Sequence, residues 1–175
     1  TVGFVGLGSI GATVLQSLSP FARRLLGVQH DSDKPVYLQL QRQYGIQYTD
    51  LDTLLKQSRV VILSLPGFGD AVELVNPERL ERLGIEDLLI VNIGRGQAIA
   101  KSRAEEFRLA DYLRRHPRVH LATDVLAEEN VPLNQQPLLA SDLRDQVLVT
   151  AHIASNAGQP GGPSVREDGM GMVML

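Results

Sequence analysis

Six residues near the start of the chain constrain its fold more than any others: Gly6-Leu7-Gly8-Ser9-Ile10-Gly11. An apolar run, Val2 to Val5, leads into them, and an amphipathic stretch follows with Ile10, Val14, Leu15 and Leu18 at helical spacing. Strand, glycine turn and helix in that order predict a unit whose turn brings backbone N–H groups against a phosphate. Each glycine has its own reason. Gly6 permits the tight turn, Gly8 lets backbone approach a pyrophosphate, and Gly11 allows helix and strand to pack closely. Alone, the Gly-x-Gly-x-x-Gly pattern is a weak signal, because glycine turns are common. Asp31 strengthens it, standing at the end of the second apolar run, about 20 residues beyond the turn. A carboxylate there hydrogen-bonds ribose hydroxyls and repels a 2′-phosphate, so the pattern favours NAD over NADP.

The rest of the chain alternates in the same way. Strands are predicted at 2–6, 25–30, 59–64, 88–92, 119–123 and 147–149, and helices at about 10–18, 35–44, 70–82 and 102–115, with a short helical turn at 51–57. Val60 to Leu63 and Leu88 to Val91 are continuous apolar runs, the pattern of parallel strands covered on both faces. The expectation is an α/β fold: a Rossmann-type, doubly wound parallel sheet in three α/β/α layers, with ligand at the carboxyl ends of the strands. The Arg/Glu-rich stretch 101–118 reads as the wet face of a helix. Two stretches break the alternation, a polar loop at 127–136 and the Gly/Pro-rich segment at 158–163. A cofactor domain is therefore expected over 1–157, with a linker and a truncated helix over 158–175. The chain starts within a strand and stops on an apolar run, which reads as a domain cut from a longer protein.

Composition narrows the partners. The formal charge of −3 gives no reason to expect nucleic acid or an anionic membrane. No apolar run approaches the roughly 20 residues that span a bilayer. With no cysteine, disulfides and thiol catalysis are excluded. No His/Asp/Glu grouping has convincing metal spacing. The lack of cysteine leaves the compartment open; the expectation is the cytoplasm.

Three further segments each follow a predicted strand: Val91-Asn92-Ile93-Gly94-Arg95-Gly96, then Thr123-Asp124-Val125 with Glu129 beyond, then Thr150-Ala151-His152. In a parallel sheet they share the edge that holds the glycine turn. An arginine, a carboxylate and an imidazole would converge there. Arg95 offers a planar pair of donors suited to a carboxylate. His152 can exchange a proton near neutral pH. Glu129 would orient it and favour its protonated form; Glu128, adjacent, is the alternative if the loop register differs. His30, His116 and His120 read as solvent-facing or structural, and Met170, Met172 and Met174 as packing residues.

These residues together resemble the cofactor domain of the D-isomer-specific 2-hydroxyacid dehydrogenases. The matching segments, in family order over about residues 2 to 155, are Gly6 to Gly11, Asp31, Leu63-Ser64-Leu65-Pro66, Val91 to Gly96, Asp124-Val125 with Glu129, and His152-Ile153-Ala154. The resemblance implies an NAD-dependent oxidoreductase that interconverts a 2-hydroxy acid and a 2-oxo acid. Arg95 would bind the substrate carboxylate, His152 would be the acid/base and Glu129 its partner. Ser9 and Ile10 would touch the pyrophosphate, Leu65 and Pro66 the adenosine half, and Ile93, Gly94 and Asp124 the nicotinamide half. A homodimer through the cofactor domain is implied, with the substrate domain outside this chain, so that the isolated chain binds NAD(H) but turns over little. The chain departs from the family in four places: Glu129-Asn130 for Glu-Pro, Thr150-Ala151-His152 for Thr-Pro-His, no threonine in Gly67 to Asp70, and the Gly/Pro segment at 158–163. Two rivals stand beside this reading. The 3-hydroxyacid dehydrogenases need a catalytic lysine in a later domain, and Lys101 comes too early. A non-catalytic NAD(H)-sensing module, such as a corepressor of the same fold, can keep the same three residues.

Overall fold

Seven parallel strands form one sheet in a computed structural model that describes residues 1–28, 35–66, 69, 72–127 and 132–150. The elements run β1 (Val2–Val5), α1 (Ser9–Leu18), β2 (Leu25–Val28), α2 (Pro35–Tyr44), β3 (Gln47–Thr49), α3 (Leu51–Gln57), β4 (Val60–Leu63), α4 (Pro77–Leu83), β5 (Leu88–Asn92), α5 (Arg103–Arg115), β6 (Val119–Thr123) and β7 (Val147–Val149). Their order across the sheet is β3-β2-β1-β4-β5-β6-β7. The chain starts in the middle, winds out to β3, then returns past β1 to continue from β4. That reversal opens a crevice between the carboxyl ends of β1 and β4, where a doubly wound sheet binds its ligand.

Side chains alternate across the sheet and build two cores. On one face Phe4, Leu25 and Ile62 pack with Leu15 of α1 and with Tyr37 and Leu40 of α2. On the other, Val5, Leu26, Val61, Leu63, Ile90 and Leu121 pack with α3, α4 and α5. A leucine or phenylalanine buried this fully contributes about 1.5–3 kcal/mol. The two continuous apolar runs fare differently. Val61, Ile62 and Leu63 are buried, whereas Leu89 and Val91 of β5 alternate with buried neighbours and keep part of their surface among the described residues.

Three sequence expectations need correction. β3 was not predicted, because Gln47-Tyr48-Thr49 is a three-residue edge strand without an apolar run; pairing with β2 makes it a strand. The helix predicted at 70–82 is shorter and later, at Pro77–Leu83. Proline lacks an N–H and suits the first helical position rather than the interior. Asn76 caps that start by accepting from the Arg79 N–H at 2.8 Å, and Gly84, at φ +65°, ends the helix. Third, the stretch 101–118 is not simply a wet face: Glu105 and Glu106 are 8 % and 1 % exposed. They fall on the stripe of Leu109 and Leu113, which faces the sheet. Near its end α5 buries Tyr112, whose hydroxyl donates to the Ile85 carbonyl at 2.6 Å. Burial, then the Glu81 carboxylate, push its phenol up to about 12. No helix among the described residues is long and apolar enough to cross a membrane. The predicted segment at 158–175 lies outside the described residues.

Candidate functional site

The glycine turn is built by close backbone contact. Gly6 takes φ +93°, a conformation side chains disfavour, and a Cβ there would strike the Ser64 carbonyl. A Cβ on Gly11 would strike the Gly6 carbonyl oxygen, so α1 can lie on the turn only with glycine at that place. Gly8 is different. Its backbone is extended, and a Cβ there would meet nothing within 4 Å. The space above it is open, and Ile10 stands beside it 59 % exposed. Gly8 is also the residue on which α1 begins, and no side chain caps the first-turn amides. Those N–H groups and the positive end of the helix suit an anion.

Register carries this edge across the sheet. Val5 pairs with Leu63, Leu63 with Asn92, Asn92 with Thr123, and Thr123 with Val149. The residues that follow them are therefore neighbours in a row: Gly6, Ser64, Ile93, Asp124 and Thr150. Backbone bonds continue the row past the strands, from the Ser64 N–H to the Val5 carbonyl, Ile93 to Leu63, and Thr150 to Thr123. Leu65, half-buried, and Pro66 continue from Ser64. Gly94 packs on Leu65 so closely that a Cβ would lie 2.6 Å from the Leu65 N and O atoms.

Arg95 is exposed at the start of a 3-10 turn, 96–98. The residue that holds its loop is Asn92, fully buried at the end of β5. The Asn92 side-chain amide donates to the Arg95 carbonyl at 3.0 Å, and its oxygen accepts from the Gly94 N–H at 3.2 Å. One side chain thus fixes the backbone of the arginine and of the residue before it. On the next strand the Thr123 hydroxyl donates to the Val125 carbonyl at 2.8 Å and accepts from the Val125 N–H at 3.3 Å. Asp124 sits between them, and its buried Oδ1 has no hydrogen-bond partner among the described residues. A buried acceptor left so is costly unless something donates to it.

The structure thus brings together Gly6, Gly8, Ser9, Ile10, Gly11, Leu65, Pro66, Ile93, Gly94, Arg95 and Asp124 along one edge. Asp31, Glu129 and His152 lie outside the described residues, as do Glu128 and His30. His116 stacks on Tyr112 at 4.2 Å between ring centres, away from this edge at the end of α5. Lys101 is tied to Glu73 at 2.5 Å and Glu105 at 3.4 Å. Those carboxylates, Glu73 first, hold its ammonium above the usual lysine value, so it stays charged. Sequence reasoning assigned no role to Asn92 or Glu106. Asn92 stood within the quoted motif and its polar character on an apolar strand was a usable signal. Glu106 gave none, being one acid among many.

The family model described as D-isomer specific 2-hydroxyacid dehydrogenase, NAD binding domain, matches residues 1–154. The chain belongs to that family. It is similar to a glyoxylate reductase of Thermofilum pendens, 30 % identical over 162 residues, with 89 % of this chain and 42 % of the relative covered. Among solved structures, the PH0520 protein of Pyrococcus horikoshii OT3 is 28 % identical with a TM-score of 0.70, covering 87 % of this chain and 41 % of that one. A D-isomer specific 2-hydroxyacid dehydrogenase from Xanthobacter autotrophicus Py2, solved in complex with NADPH and MES, is 27 % identical with a TM-score of 0.69, covering 87 % and 44 %. The chain spans less than half the length of these relatives. The residues present fit NAD. The open space over Gly8 and the uncapped amides suit a pyrophosphate, and the unpartnered Asp124 oxygen can accept from an amide such as the nicotinamide carboxamide.

Proposed function

We propose that this chain is the cofactor domain, over residues 1–157, of an NAD-dependent D-2-hydroxyacid dehydrogenase. The observation that carries the reading is the row Gly6, Ser64, Ile93, Asp124 and Thr150 at one sheet edge, with Arg95 two residues beyond Ile93. The glycine turn and the N–H groups of Ser9 and Ile10 hold the pyrophosphate. Leu65 and Pro66 flank the adenosine half, and Asp31 accepts from its ribose hydroxyls. Ile93, Gly94 and Asp124 line the nicotinamide half. NAD(H), when bound, supplies the hydride acceptor or donor. Arg95 holds the substrate carboxylate through paired N–H donors. His152 gives its proton to the carbonyl oxygen as the 2-oxo acid is reduced, and takes one from the hydroxyl in the reverse direction. Glu129 orients that imidazole and stabilises its charged form. Relatives named glyoxylate reductase make glyoxylate the first substrate to try.

The test is a panel of small 2-oxo acids with NADH and the complete gene product. Turnover is expected, and His152→Ala should abolish it while leaving NADH affinity unchanged. Undiminished turnover in that variant would remove His152 from its role. The 175-residue chain alone is expected to bind NAD(H) and turn over little, because the substrate side of the site belongs to a second domain. Size measurement on the complete product should give a dimer. NADH binding without turnover of any 2-oxo acid would mark a sensing module instead.

A further inference from the structure

Glu106 is a buried carboxylate with 1 % of its surface exposed, set on α5 in phase with Leu109 and Leu113. An apolar side chain would pack there at no desolvation cost, whereas a carboxylate withdrawn from water costs several kcal/mol unless hydrogen-bonded. Glu106 Oε1 accepts from the Ala127 N–H at 2.7 Å, across 21 residues of sequence. Ala127 lies in the loop that leaves β6 at Asp124. The same loop rests on Gly96: a Cβ there would lie 2.7 Å from the Leu126 carbonyl oxygen and 3.0 Å from the Ala127 nitrogen. Gly96 directly follows Arg95. Residues 124–127 of the loop are therefore held by the Thr123 hydroxyl on Val125 and by Glu106 on Ala127, with Leu126 and Ala127 seated on Gly96. Asp124, whose buried Oδ1 has no partner among the described residues, lies within that span.

We propose that Glu106 is a positioning residue, holding the Asp124–Ala127 loop against the Arg95–Gly96 turn. It thereby sets the Asp124 carboxylate at the nicotinamide half of the site and keeps Arg95 beside it. The proposal rests on the dinucleotide reading given above. In this role Glu106 acts through the Ala127 amide and not on the cofactor or substrate itself.

Binding calorimetry on the 175-residue chain tests this with two ligands, NADH and ADP-ribose, which lacks the nicotinamide. Glu106→Leu should weaken NADH by about tenfold and ADP-ribose by no more than about twofold. Glu106→Gln keeps an acceptor oxygen for Ala127 and should stay within about threefold of the parent for both ligands. Gly96→Ala attacks the same seat from the other loop and should reproduce the selective loss; it also decides the matter if Glu106→Leu fails to fold. Equal losses of both ligands would mean a general structural role, and unchanged NADH affinity would mean none. Either result overturns the proposal. Asp124→Ala, measured alongside, separates the premise from the inference. If it does not selectively weaken NADH, the reading of the nicotinamide side fails, and the proposal falls with it. If it does and Glu106→Leu does not, only the proposal falls.

Discussion

The two halves of this site are held by opposite means. At the β1–α1 turn, six consecutive residues make the shape, and its tightest approaches are backbone to backbone: Gly11 on Gly6 within the turn, and Gly6 on Ser64 beyond β4. At the β5 and β6 ends, Arg95 and Asp124 stand on loops that would be loose by themselves. Buried side chains hold them, Asn92 from the end of β5 and Glu106 from α5. The first half is built by the absence of side chains, the second by their polar ends. The lesson is that a steric turn tolerates no added atom where its backbones touch, while a hydrogen-bonded loop depends on side-chain partners brought in by the fold.

Substitutions can break that contrast. The largest effect is expected at Gly11→Ala. Its Cβ would meet the Gly6 carbonyl, which cannot move without opening the turn, so a stability loss of about 3 kcal/mol is expected by urea unfolding. The helix propensity gained over glycine, about 1 kcal/mol, is too small to offset it. If the variant is as stable as the parent, the turn is not the rigid half. Next comes Asn92→Ala, which removes both bonds around Arg95 and should cost about 2 kcal/mol. In the complete gene product it should also lower kcat/KM for a 2-oxo acid by at least about tenfold, since a misplaced arginine no longer meets the carboxylate. Unchanged kinetics would mean that the loop holds itself. The smallest change in stability is expected at Gly8→Ala. Its extended backbone and open surroundings accept a methyl group, so urea unfolding should shift by less than about 0.5 kcal/mol. NADH affinity should nevertheless fall by about tenfold, because the methyl occupies the approach of the pyrophosphate. A loss of stability there without a loss of binding would reverse the roles given to Gly8 and Gly11.

How much of this was legible beforehand follows the same division. The turn could be read because its glycine spacing, between an apolar run and an amphipathic stretch, shows in consecutive letters, although the carbonyl that excludes a side chain at Gly6 belongs to Ser64. Arg95 and Asp124 could be placed on the site edge because each follows an apolar run that ends at the same side of a parallel sheet. Asn92 was visible as a residue but not as a clamp, since nothing in the letters says which way a buried amide turns. α4 shows a local signal passed over: Asn76-Pro77 marks the helix start, and apolar periodicity upstream of it predicted helix where the chain makes turns. In the sequence Glu106 reads as solvated surface, because Arg103, Glu105 and Arg108 around it are charged as well. Only the phase of α5 against the sheet turns Glu105 and Glu106 inward and leaves Arg108 outward.

By itself the amino-acid sequence determined the alternation of strand and helix, the glycine turn and the family, because these rest on periodicity and on residue spacing within short segments. The tertiary structure decided what depends on distant partners. β3 became a strand by pairing with β2. The register of five strands set Gly6, Ser64, Ile93, Asp124 and Thr150 in one row. Packing of α5 turned one carboxylate inward to meet the Ala127 amide. Backbone pairing and burial depend on which segments meet, and that is a property of the whole chain.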